Sequence, residues 1–517
     1  MNKVYSFFFS FLQKLLLLLV IHWLVIAIFH INNLLPSVGA SLFFLALVLL
    51  LFVCRKQLKG FYQFLMQHKR ALMLAAIIFQ LVMLLAAQLL IRRDAAVVFT
   101  GAFGYLKESS ISNYLTRNPN NMFLFLYERF FFKIFGPSGL WIMQALNLFY
   151  TDVTAWILYK GSLKYLGQKT ADMTFFLYLL LLGFSPYFFS MYTDILPLPL
   201  IALQIFLTLA IFQEKETNKI SLKTVLLALI TGLASLIRPT VLILLIAFFG
   251  LLFLRKGFKK AFLVLGVFSL AFAASYFSLN HLIKNQTEIP LVKGEGLAKG
   301  PLLFIDLGLT DTGHNQEDMK EGLLAYVEPS RRADYNNGMF AQENIIKDIE
   351  RRLSEFTPWT FLGHLYYKES LTVAEGTLGW LYRSVENEKT PYISPLYDWT
   401  KSQAWAQFIR DYFLNTDKKS FAYYALVKQL FWIFLAFDLV LAMWKFRAED
   451  EALNLLALAV FGGLLFLQIF EGGKTRYLIQ FLPQIVLLAS LGLGRYSFRG
   501  EKVKKIIAWK GRKSQLS

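Results

Sequence analysis

Residues 15–29 read LLLLLVIHWLVIAIF and residues 38–53 read VGASLFFLALVLLLFV, two apolar stretches with no Asp, Glu, Lys or Arg in either. A helix rises about 1.5 Å per residue, so roughly 20 such residues cross the ~30 Å hydrocarbon layer of a bilayer. Working outward from them, apolar runs predict spans near 12–30, 38–54, 71–91, 138–159, 172–190, 195–212, 224–237, 241–254, 261–280, 421–444, 453–470 and 477–493. The whole chain has 517 residues, 56% of them hydrophobic, and a mean hydropathy of +0.49. That is more apolar surface than a water-soluble chain of this length buries, so a soluble enzyme is excluded.

The formal net charge is +19, which in a soluble chain would suggest nucleic acid. Here the cations collect in short connections between apolar runs, so the charge reads as topology, with membrane lipids and no nucleic acid as partners. Arg55, Lys56, Lys59, Lys69 and Arg70, then Lys160, Lys164 and Lys169, then Arg255, Lys256, Lys259 and Lys260, fall on one side of the threaded chain. The tail, with Lys502, Lys504, Lys505, Lys510, Arg512 and Lys513, falls there too. The positive-inside rule makes that side cytoplasmic and places both termini there. Segments 92–137 and 281–420 then face outward. The resulting plan is a 1–280 transmembrane module with its first outer loop at 92–137, an extracytoplasmic segment at 281–420, C-terminal transmembrane helices at 421–493 and a basic cytoplasmic tail at 494–517. The single cysteine, Cys54, cannot brace the exterior with an internal disulfide.

The exterior carries two candidate interfacial helices. Residues 341–356 place Ile345, Ile346, Ile349 and Leu353 on one face, and 122–135 is an apolar-aromatic run broken by Glu128, Arg129 and Lys133. The second run could instead begin the next span.

Candidate chemistry lies at the outward ends of the spans. Asp94 follows Arg92 and Arg93 where the third span surfaces, an address suited to a general base, or to a carboxylate that merely pairs with those arginines. Tyr114, Arg117, Asn118, Pro119, Asn120 and Asn121 put amides beside a cation, as sugar binding requires, although Asn-Pro-Asn-Asn is also an ordinary helix start. Asp194 stands between two spans, where it orients a substrate or caps a helix. Arg238-Pro239 interrupts a hydrophobic stretch, and an arginine there either meets an anion or snorkels to the interface. The turn Glu471-Gly472-Gly473-Lys474-Thr475-Arg476-Tyr477 offers two cations for a phosphate, or routine flanking charges. Asp306, His314, Asn315, Glu317 and Asp318 form an acidic patch, but neither His314 nor His364 is accompanied by a second close histidine or a cysteine, so no metal site is predicted.

In order and common sidedness, the Asp94 loop, Arg117 to Asn121, the Arg238-Pro239-Thr240 break and the Glu471 to Tyr477 turn resemble the C-type membrane glycosyltransferases. The resemblance is to family 39-like members related to protein mannosyltransferases and aminoarabinose transferases, and it covers most of the chain. It implies an all-α polytopic fold of about twelve transmembrane helices with interfacial helices and a mixed extracytoplasmic segment. It also implies an enzyme that moves a sugar, with inversion, from a polyprenyl-phosphate donor to an extracytoplasmic acceptor. Asp94 would be the base, Arg238, Lys474 and Arg476 would bind the donor phosphate, and Tyr114, Arg117, Asn118, Asn120, Asn121, Asp194, Glu471 and Tyr477 would line the substrate site. No cofactor is implied. Protein mannosyltransferases follow the loop aspartate with a glutamate, whereas Asp94 is followed by Ala95 and Ala96, which turns the expected acceptor toward a bacterial cell-envelope glycan or teichoic-type polymer. A transporter or flippase of lipid-linked sugars is the rival reading, and its sites would lie at mid-membrane.

Overall fold

In lipid a backbone has no water to bond, so long apolar runs close their hydrogen bonds internally as helices. The computed structural model describes residues 3–35, 38–88, 91, 93–382 and 396–494, so Arg92 and the predicted tail from 495 onward lie outside the described residues. Each of the twelve predicted runs falls on helical structure. Among the described residues, eight helices are long and apolar enough to cross a membrane: Tyr5–Leu34, Lys69–Ala86, Thr217–Ile237, Pro239–Lys256, Phe258–Lys284, Phe421–Trp444, Glu451–Ile469 and Thr475–Gly494. The other runs form Val38–Val53, Gly139–Tyr165 and Leu198–Gln213, with 172–190 the exception in kind.

That run does not stay regular. The helix Gln168–Tyr178 widens into a π turn at Leu179–Gly183, which splays carbonyls out of the ladder. The buried Lys428 takes them up, its Nζ donating to the carbonyl oxygens of Leu180 at 2.5 Å, Leu181 at 2.8 Å and Phe184 at 3.3 Å. Lys368 does the same elsewhere. From the helix Pro358–Val373 it donates to the carbonyls of Gly308, Gln468 and Phe470 at 2.9, 3.0 and 2.7 Å, tying segment 281–420 to the end of Glu451–Ile469. A cation over a helix C-terminus suits both the orphan carbonyls and the macrodipole.

The helices share two chemically different ends. At one, Lys69 pairs with Asp172 at 2.8 Å, Lys223 with Glu214 at 2.5 Å and Lys256 with Glu451 at 2.8 Å. At the other end of the same helices stand Ala86, Arg238 and Phe470, next to the segments in which chemistry was sought. The segment between Lys284 and Phe421 is helices and loops, with no strand among its described residues. Its helix Gln342–Glu355 sends Ile345 into a small core with Leu303, Leu323 and Phe340, with Ile349 packed against it, while Ile346 and Leu353 are exposed. The predicted apolar face is therefore divided between that core and the surface. The predicted acidic patch is likewise consumed in part, because Arg352 pairs with Asp306, Asp318 and Asp348 at 3.0, 2.9 and 2.8 Å.

The run 122–135 is a separate helix, Met122–Phe135, ended by Gly136 before the next begins at Gly139. Arg129 and Lys133 pair with Glu288 at 3.6 and 2.5 Å. Glu128 points the other way: it is fully buried, and neither carboxyl oxygen has a hydrogen-bond partner among the described residues. Burial pushes its carboxyl well above the usual range. Because the folded form then holds a proton that the unfolded chain releases, stability falls as pH rises above ~4.3. Replacing Glu128 by Met is expected to raise thermal stability in detergent by about 1–3 kcal/mol near neutral pH, and by less at pH 5. Destabilisation by the substitution would mean that the carboxyl is partnered.

Candidate functional site

Asp94 lies in the first turn of the helix Arg93–Ala102, where a negative charge meets the positive end of the helix dipole. It is exposed, yet it has a defined neighbour in the Tyr114 hydroxyl. Tyr114 stands on Glu108–Arg117, and its oxygen accepts from Asn121 Nδ2 at 2.8 Å, so its one proton is left for the carboxylate. Asn121 Oδ1 in turn accepts from Tyr192 at 3.0 Å. Burial and the nearby Asp94 push the Tyr114 hydroxyl up, and burial pushes Tyr192 up to about 12, so both remain neutral donors.

The Tyr192 ring is also the floor for two cations, with Arg238 Cζ 5.8 Å and Arg476 Cζ 5.0 Å from its centroid. Both arginines close on Asp194, which is 2% exposed: Arg238 Nη2 on one oxygen and Arg476 Nε on the other at 2.8 Å. Burial alone would raise the Asp194 carboxyl, but Arg476 and Arg238 outweigh it and hold it below its usual range. The Asp194 side chain is therefore the counter-ion of the two predicted phosphate ligands, and the triad carries a net positive charge.

The 471–477 turn is held at the same end. Gly472 N donates to Gly313 O at 3.1 Å and Gly473 N to Thr372 Oγ1 at 3.0 Å, while the Tyr477 hydroxyl donates to Glu471. Lys474 acts on His314 of the adjoining loop. Thr240, after the Arg238-Pro239 break, donates to Gln480 Oε1 at 2.5 Å. Lys299, from segment 281–420, lies close enough to Asp94, Arg117 and Glu471 to feel all three, which puts residues 94 and 471 at one end of the bundle.

Most of the predicted residues thus converge, but not all in the expected roles. Asn118 Nδ2 donates back to Tyr114 O, 3.0 Å away, at the end of Glu108–Arg117, and its side chain makes no cap to the Pro119–Asn121 turn that follows. Asn120 is exposed. Tyr192 and Lys299 were not singled out as site residues. Tyr192 was legible only as the neighbour of Asp194, and nothing local marks Lys299.

A family model described as "Conserved hypothetical integral membrane protein" matches residues 1–496. The chain belongs to this family. It is accordingly a multi-pass integral membrane protein, in keeping with its eight long apolar helices. Two solved structures are similar to this family member at low identity, both of ArnT from Cupriavidus metallidurans. The apo form is 11% identical with a TM-score of 0.29, and the form bound to undecaprenyl phosphate is 12% identical with a TM-score of 0.33. Each alignment covers 83% of this chain and 78% of the other. No curated protein matches the sequence.

Within this member of the family, the turn depends on glycine at 473. Its φ is +68°, and a Cβ there would run into the carbonyl oxygen of Thr312. Gly473→Ala is expected to cost about 1–3 kcal/mol from backbone strain alone, with the clash adding to it, and to displace Lys474 and Arg476. Thermal unfolding in detergent measures the loss, and an unchanged melting temperature would show that the turn adapts.

Proposed function

We propose that this chain is a membrane glycosyltransferase of the C-type class that moves a sugar from a polyprenyl-phosphate donor to an extracytoplasmic acceptor, a cell-envelope glycan or teichoic-type polymer, with inversion. The observation that carries the reading is the linkage of an exposed carboxylate, Asp94, and a half-buried cationic group, Arg238 with Arg476, through one row of side chains, Tyr114, Asn121 and Tyr192. A phosphate leaving group needs its charge neutralised more than it needs a proton, and an acceptor hydroxyl needs a base. In this scheme Arg238, Arg476 and Lys474 receive the phosphate. Tyr114, Asn121, Arg117 and the Glu471-Tyr477 pair line the sugar and acceptor, and Asp94 takes the hydroxyl proton. The prenyl tail stays in lipid, because the group lies where the long helices end. The proposal includes about twelve spans, cytoplasmic termini and the 281–420 segment on the outside, a reading supported by the distribution of Lys and Arg among the connections.

The test is to reconstitute the purified protein in vesicles with polyprenyl-phosphate sugars and envelope acceptors. Sugar transfer to an acceptor is the expected result. Movement of the intact lipid-linked sugar across the bilayer without transfer would replace the enzyme by a flippase.

A further inference from the structure

In and around segment 281–420, Arg129 and Lys133 pair with Glu288, Arg351 with Asp348 and Glu355, and Arg352 with three aspartates, while Lys368, Arg332 and Arg410 are met by carbonyl oxygens. Arg117 and Lys299 differ in lying beside each other. They come from segments far apart in sequence and are joined through the backbone, Lys299 N donating to Arg117 O at 2.9 Å. Their side chains share one aromatic wall, since Arg117 Cζ is 4.9 Å and Lys299 Nζ 5.9 Å from the centre of the Phe340 ring. Arg117 also stacks on Tyr335 at 4.6 Å and donates from Nη1 to the Tyr335 carbonyl at 3.1 Å. Neither forms an ion pair with a carboxylate among the described residues, and both are only partly exposed. Two adjacent cations raise each other's energy, and partial burial adds to it; a bound anion relieves both penalties.

The position of the pair says what that anion belongs to. Lys299 lies within electrostatic reach of Asp94 and Glu471, so the pair is near the carboxylate to which a hydroxyl must come. The opposite cationic group, Arg238 and Arg476, is the one suited to the donor. We infer that Arg117 and Lys299 form a second anion seat, which takes a phosphoryl group carried by the acceptor and so directs the acceptor hydroxyl to Asp94. This rests on the transferase reading and narrows it to phosphate-bearing acceptors. In the transfer itself the bond between the anomeric carbon and the donor phosphate oxygen breaks, and the donor phosphate leaves with the electron pair. The acceptor oxygen bonds to that carbon and its proton passes to Asp94. The acceptor phosphoryl group on Arg117 and Lys299 is unchanged.

A phosphoryl group could arrive on a lipid or on a soluble acceptor, so the experiment uses both. The full-length protein in detergent is titrated with sn-glycerol 1-phosphate, with glycerol and with undecaprenyl phosphate. Wild type is expected to bind glycerol phosphate and not glycerol. Lys299→Gln and Arg117→Gln are expected to weaken glycerol phosphate by at least ~10-fold, with undecaprenyl phosphate affected by less than about 2-fold. Lys299→Arg, which keeps the charge, should retain glycerol phosphate binding and so separates charge from folding. Three outcomes would overturn the seat: no glycerol phosphate binding by wild type, undiminished binding by both Gln variants, or a loss confined to undecaprenyl phosphate, which would give the pair to the donor. Binding needs no turnover, so a seat that binds in a protein without transfer activity would sink the transferase reading and leave the seat standing.

Discussion

Asp94→Asn is expected to lower sugar transfer by about 10²–10⁴-fold while leaving binding of the polyprenyl-phosphate donor within a few-fold of wild type. The amide has the shape of the carboxylate and can still accept from Tyr114, so the site keeps its geometry, but it cannot take a proton from an acceptor. Tyr114→Phe makes the complementary comparison. It removes the hydroxyl that faces Asp94 and breaks the link to Asn121, yet leaves the base itself, so its loss should be smaller. Transfer from a polyprenyl-phosphate sugar, followed with saturating donor, measures both. Full activity of Asp94→Asn would remove Asp94 from the mechanism. A change of the same size in donor affinity would make it a binding residue.

Asp194→Ala should have the largest effect on stability, about 3–5 kcal/mol. Asp194 is 2% exposed and is the common anion of Arg238 and Arg476, so its removal leaves two guanidinium groups beside the Tyr192 ring without their shared counter-ion. The three residues belong to the 190–197 connection, the break at Pro239 and the start of the last helix, and the ion group joins all three. A surface salt bridge of similar geometry would contribute less than about 1 kcal/mol, so thermal unfolding in detergent separates the two cases. The sign with pH also follows. The carboxyl is held below its ordinary value, so its contribution is present above ~4 and is lost only as pH falls through the lower folded value. Between pH 5 and 8 the destabilisation should therefore be constant. A loss below 1 kcal/mol would show that Arg238 and Arg476 are held by other contacts.

The site was partly readable residue by residue. Asp94, Arg238 and Arg476 were each conspicuous as a charge at the end of an apolar run, and Gly472-Gly473 as a turn. Their mutual roles were not. Asp194 had the same local signature as any capping aspartate, and Asn118 proved to be bound to its own helix. Lys299 had no local signature at all, being one lysine in a polar segment. The π turn within the 172–190 run was not legible either, because its carbonyls are met by Lys428, which lies about 250 residues further along the chain.

The amino-acid sequence by itself determined that this is a multi-pass helical membrane protein, and it put the candidate acids and cations at the ends of apolar runs rather than inside them. These follow from hydropathy summed over ~20 residues and from the cost of moving charge into lipid, and both are local. Only the tertiary structure decided which span ends meet. It brought Tyr192 between Asn121 and the Arg238–Arg476 pair, set Asp194 against both arginines and placed Lys299 beside Asp94 and Glu471. The reason is physical: helices with similar apolar surfaces can be ordered around a bundle in many ways, and the choice rests on packing and buried polar contacts between residues hundreds of positions apart.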